Sequence, residues 1–107
     1  MTWHETVERI RIIREVEAAA AVDLSGRLPW RDSWAPAFGD RVGLLTALRD
    51  RWDRMCVAQL DELTTPEQVR DAERRLRRTN AGVLRILETH GLVGVPTGSA
   101  RPPLVVA

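Results

Sequence analysis

Residues 65–90, TPEQVRDAERRLRRTNAGVLRILETH, decide the reading of this chain, because a helix's start, faces and end are all written in them. Thr65, Pro66 and Gln68 supply an N-cap, a first-turn proline and the third residue of a capping box, so the first free amides have acceptors in place. Wound at about 100° per residue, the segment sets Val69, Ala72, Leu76, Thr79, Val83, Ile86 and Leu87 along one side. Arg70, Arg74, Arg77, Arg78 and Arg85 fall along the other. Gly91 follows His90 with Leu92 beyond it, which suits the left-handed residue and the apolar contact of a Schellman ending.

Two further helices flank this one. Residues 2–24 are helical by pattern, with Thr2 and Glu5 spaced as a capping box and Glu5 to Arg9 as a supporting pair. Trp3, Val7, Ile10, Ile13, Ala20 and Leu24 form a broad stripe, expected to face the core, while Ile12, Val16 and Ala19 lie toward the opposite side. A helix apolar on two sides has two things to touch. Either it is central in the bundle, or Ile12, Val16 and Ala19 are a homodimer seam. Residues 40–63 start at the N-cap Asp40 and carry Leu44, Leu45, Leu48, Trp52, Met55, Cys56, Leu60 and Leu63 on one arc. Thr64 and Thr65 are a tight link, so the second and third helices are expected to be antiparallel neighbours.

The fold class that follows is all-α, an up-down-up three-helix bundle over about 2–24, 40–63 and 65–90, forming a single domain over 1–107. Between the first two helices, residues 25–39 read SGRLPWRDSWAPAFG, a loop with two glycines and two prolines that nonetheless carries Trp30, Trp34 and Phe38. Fifteen residues exceed the usual helix connection of about two to eight. The three aromatic side chains therefore either cap an open end of the core or leave a tryptophan outside as an anchor for a partner. The tail 91–107 has no helical period and is expected to run extended along the bundle, a partner groove being the alternative dock.

Composition narrows the classes. With 44% apolar and 29% charged residues and a net charge of +1, the chain has no overall field to attract polyanions, so any basic site must be a local patch. All sixteen basic residues are arginine. Cys56 is alone, which excludes an internal disulfide and suits a reducing cytoplasm. Charged residues throughout the first twenty positions speak against a secretory or transit signal, and no apolar run is long enough to span a bilayer.

The familiar catalytic and phosphate-binding motifs are missing, and His4 and His90 fall near the ends of different helices, too far apart in such a bundle to share a metal. No catalytic, cofactor-binding or metal-ligating residues are expected. The arginines raise a nucleic-acid reading, since guanidinium groups a turn apart match phosphates. Against it, residues 66–90 net only +2, six arginines against four acids, and no aromatic side chain interleaves them to stack bases. Asp71 to Arg75 and Glu73 to Arg77 are spaced as i,i+4 pairs. A small helical enzyme would need Arg14, Arg49 and Asn80 to turn inward and hold an anionic ligand.

Leu28-Pro29-Trp30, Phe38-Gly39-Asp40-Arg41 and the run Leu44, Leu45, Ala47, Leu48, Arg51, Trp52 resemble small all-helical actinobacterial proteins of uncharacterised role. That resemblance implies that the loop and the second helix belong together as one unit and implies no activity. The function expected is a small cytoplasmic protein–protein interaction or regulatory module, self-associating through helix one and meeting a protein partner with Trp30, Trp34 and Phe38 or with the arginine face. The alternative is a nucleic-acid-associated regulator that uses that face.

Overall fold

The structure, a computed structural model, describes residues 2–93. The tail reading falls on 91–107 and beyond residue 93 lies outside the described residues. Five helices are present: α1 (Trp3–Val22), α2 (Ala35–Phe38), α3 (Arg41–Leu60), α4 (Pro66–Thr79) and α5 (Ala81–Thr89), with a 3-10 turn, Asp32–Trp34, ahead of α2. No strand occurs among the described residues, so the fold is all-α.

The ends of the helices follow from the caps. Thr2 and Glu5 close a capping box on α1, Asp40 accepts from the Gly43 amide at 2.9 Å, and Thr65 and Gln68 close a second box on α4. The Gln68 carboxamide oxygen also accepts from the Thr64 amide at 3.1 Å, which holds the tight link between α3 and α4. At the far end, Gly91 has φ +73°, its amide donates to Glu88 and that of Leu92 to Leu87, the paired bonds of a Schellman motif. Leu92 and Val93 then pack against the core.

Two expectations are corrected. The helix over 65–90 is not continuous. At Asn80 the backbone leaves helical geometry (φ −112°, ψ 27°), and the Asn80 carboxamide donates to the Leu76 carbonyl at 2.9 Å, sharing it with the Asn80 backbone amide at 3.0 Å. The break lets α4 lie along α3 while α5 turns onto both α1 and α3. The three expected rods are thus five helices, and the 25–39 loop holds one of them.

The second correction concerns which side of α1 is buried. Ile12 and Val16, read as a dimer seam, are 1% and 0% exposed and belong to the chain's own core, with Ala20 one turn on and Ala19 outside. Trp3, Val7 and Ile10, expected inside, are 81%, 44% and 45% exposed. The reason lies further along the helix. Continued at the same spacing, the stripe of Trp3, Val7 and Ile10 meets Arg14 and Glu17, whereas the line from Ile12 through Val16 to Ala20 carries no charge along the stretch that meets α5. Burying the first would have placed two ions in the core, at a cost of several kcal/mol each.

The core is one contiguous cluster. Ile12 and Val16 meet Trp34 and Phe38 from the loop, Leu44, Leu45, Leu48 and Trp52 from α3, and Val83, Leu84, Ile86 and Leu87 from α5. Gly82 sets the approach of α5 to α1: a Cβ built there would overlap the carbonyl of Ala20. Gly82→Ala is expected to overpack this crossing by about 1–3 kcal/mol, lowering Tm by about 10 °C in thermal unfolding. An unchanged Tm would show that the two backbones do not approach as described.

Candidate interaction surfaces

The aromatic loop is inside. Trp34 is 3% exposed, Phe38 is buried, and Trp30 is half-buried, meeting Trp34 edge to face at 6.1 Å between ring centroids and 85° between planes. Trp34 and Phe38, candidate anchors by sequence, are therefore core residues. Their rings are roofed by guanidinium groups: Arg9 lies 4.5 Å from the centre of Phe38, Arg31 5.4 Å from Trp34 and Arg41 5.8 Å from Trp30. Arg9 also donates to the Ala37 carbonyl at 2.5 Å, and Arg31 pairs with Glu15 at 2.7 Å, so α1 is tied to the loop by charge as well as packing. The sequence pairs Arg9 with Glu5; in the structure the Glu5 carboxylate closes the capping box on Thr2 and Arg9 turns instead to the loop, a contact that no local spacing signals.

The arginine face divides at Asn80. Arg70, Arg74, Arg78 and Arg85 are exposed and Arg77 is half-buried. Arg74 pairs with Asp71, in place of the expected pair from Asp71 to Arg75, and the pair from Glu73 to Arg77 does not form. Arg70, Arg75, Arg77, Arg78 and Arg85 have no carboxylate partner among the described residues. Arg77 and Arg85 come together at the rim of an open groove of about 330 Å³, whose floor includes Leu24, Ala81 and Leu84 and whose edge carries Glu88. Arg75 borders a different groove, between α3 and α4, with Met55, Gln59 and Asn80.

The residues of the enzyme reading are not brought together. Arg14 and Arg49 are exposed, Arg49 lying 3.7 Å from Asp53, and the Asn80 carboxamide is occupied by Leu76 and the Met55 sulfur. Glu17 instead meets Arg51 at 2.6 Å, a half-exposed bridge from α1 to α3. The void beside that bridge measures about 10 Å³, room for one water molecule and no substrate. Burial, reinforced by the charge of Asp53, pushes the Cys56 thiol up, away from the thiolate form that a nucleophile requires.

What remains is the outward side of α1. Trp3, Val7 and Ile10 are spaced i, i+4, i+7 on a helix whose opposite side is locked into the core and whose first turn is fixed by the capping box. One flank is electrically neutral within itself: Arg11 bridges Glu8 at 2.7 Å and Glu15 at 3.3 Å, and Arg31 completes the chain. The Arg11 contact holds the Glu8 carboxyl below its ordinary pKa. Three apolar side chains thus stand in water on a rigid frame with no competing charge among them. An isolated exposed hydrophobic residue is ordinary; a contiguous row is not.

The two indoles at opposite extremes separate packing from surface. Trp34→Ala is expected to cost about 3–5 kcal/mol, and Trp3→Ala no more than about 0.5 kcal/mol, as measured by urea unfolding. Equal losses at the two positions would contradict the burial described. Compared with known proteins, the chain matches no family model, no curated protein and no solved structure.

Proposed function

We propose that this chain is a small helical interaction module that meets another protein through the outward side of α1. The observation that carries the reading is Trp3, 81% exposed on a capped first turn, with Val7 and Ile10 following it at helical spacing. Aromatic side chains dominate the energetics of protein interfaces, and an amphipathic helix is recognised by anchors at this spacing. The anchors are preorganised, so little conformational freedom is lost on docking. A cytoplasmic setting belongs with the same proposal, supported by the lone cysteine, and no described helix is long and apolar enough to cross a membrane. Of the residues behind the actinobacterial resemblance, Phe38, Leu44, Leu45, Ala47, Leu48 and Trp52 are core residues, so that part of the likeness concerns packing, and the resemblance adds nothing to the function.

Ile10→Glu places a charge on this side without touching the core. It is expected to leave Tm within a few degrees, since surface substitutions cost about 0.5 kcal/mol or less. It should abolish capture of the proteins that the native chain retains from a lysate of its source cells. The same proteins retained by both forms would refute the reading.

A second reading, nucleic-acid binding, is favoured by the five guanidinium groups at 70, 75, 77, 78 and 85 that have no acidic partner among the described residues. If all five meet phosphates, affinity for a labelled DNA duplex should fall several-hundred-fold, roughly, between about 50 and 200 mM salt. Fluorescence anisotropy that shows no binding, or binding indifferent to salt, rejects it.

A further inference from the structure

The outward side of α1 has a longer pattern than its three apolar residues. Trp3, Val7, Ile10, Arg14, Glu17 and Ala21 follow spacings of four, three, four, three and four, the alternation that places residues along a coiled-coil seam. All six lie on α1, and none belongs to the core. The seam is uneven. Its first half is apolar; then comes Arg14, which is exposed and has no carboxylate partner among the described residues; then Glu17, already committed to Arg51.

We infer that the partner of this seam is a second copy of the same chain, with the two α1 helices antiparallel and the two-fold axis passing between residues 8 and 9. The inference rests on the reading of this side of α1 as a protein-binding surface and names its occupant. Antiparallel seams pair each position with the alternate one on the other helix. In the register centred between 8 and 9, Val7 of each copy meets Ile10 of the other, and Trp3 of each meets Arg14 of the other. The two central layers are then wholly apolar. At either end a guanidinium without a partner lies against an indole without one, a pairing that satisfies both through the ring's negative face. Glu17 stays outside the paired length, so its bridge to Arg51 at 2.6 Å is undisturbed.

Other arrangements fit less well. In a parallel pair, Arg14 would face Arg14 across the seam, and no free carboxylate is available to separate them. An antiparallel pair shifted by one heptad would set Val7 against Glu17 and Ile10 against Arg14, burying both charges against apolar side chains and breaking the bridge to α3. The flank that would line the interface carries the chain Glu8, Arg11, Glu15 and Arg31, which is neutral within itself and brings no like charge to the contact. Twelve residues of helix on each side bury a total of about 1,000 Å², the low end for a specific interface, so the dimer is reversible and depends on concentration.

Sedimentation equilibrium from about 1 μM to about 1 mM, the range in which small interfaces dissociate, is expected to show the mass rising from 12.1 kDa toward twice that value. Ile10→Glu should hold the mass at 12.1 kDa throughout, and Trp3→Ser, on the exposed first turn, serves as a second variant should the first fail to fold. A spin label on Ala18→Cys, in a Cys56→Ser background, fixes the direction. The antiparallel register places the two labelled backbones about 28 Å apart along the helices, whereas a parallel pair places them about 10 Å apart. A mass of 12.1 kDa at every concentration overturns the inference, as does a dimer that survives both substitutions or a label separation near the shorter value. The broader reading fails by a different result, unchanged capture of foreign proteins by the Ile10→Glu chain, so the two are judged separately.

Discussion

The close approach of α5 to α1 at Gly82 is the constraint on which the rest of the structure depends. The Ala20 carbonyl occupies the space where a side chain at position 82 would begin, so the two backbones touch with nothing between them. At that separation Ala20 and Val16 reach into α5, whose Val83, Leu84, Ile86 and Leu87 are all buried. A continuous helix from 65 to 90 could lie along α3 or bring Gly82 to Ala20, but its straight axis could not do both. The interruption at Asn80 resolves this, and its cost is small because the Asn80 carboxamide and the backbone amide both find the Leu76 carbonyl. Asn80 also borders Met55 on α3, so the kink is held from the side as well as along the chain.

The crossing dictates the rotation of α1, and that rotation is where the local pattern misleads. Two apolar lines run along α1, and summing side chains by helical angle favours the one with Trp3, Val7 and Ile10 because it holds the larger residues. What matters is continuity. The line through Ile12, Val16 and Ala20 stays free of charge over the stretch that meets α5, whereas the other passes through Arg14 and Glu17 there. Local pattern states which residues are oily; which oily line is buried depends on the partner helix, whose glycine lies sixty residues further on.

Where a feature depends on neighbours in sequence it was legible. The boxes at Thr2 and Thr65, the cap at Asp40 and the Schellman ending at Gly91 are all closed by residues within five positions. The inner arc of α3 was legible through Leu44, Leu45, Leu48 and Trp52, all buried, but it fades at Met55, Cys56 and Leu60, which are half-buried because α4 is polar and covers that end thinly. Where a feature depends on chain returning from far away it was not. The bridge from Glu17 to Arg51 and the seat of Arg9 on Phe38 join residues about thirty positions apart, and no spacing rule connects them. The arginine face was visible as an exposed stripe, yet its division at Asn80 was not, since the seven-residue interval from Arg78 to Arg85 looks continuous until the axis turns.

The same crossing explains why the outer side of α1 is available to another molecule. Burying a large apolar side chain contributes about 1.5–3 kcal/mol, so leaving an indole and two branched aliphatic chains in water forgoes a few kcal/mol. A domain of this size is stable by only about 5–15 kcal/mol in total. The fold leaves them out because the alternative is worse: rotating α1 to cover Trp3 would carry Arg14 and Glu17 toward α5 and break the bridge to Arg51, at several kcal/mol for each ion taken out of water. The seam on α1 is therefore held outward by the geometry of the core and needs no rearrangement to be occupied. Whatever meets it encounters a surface already formed, and the free energy forgone in folding is available to association.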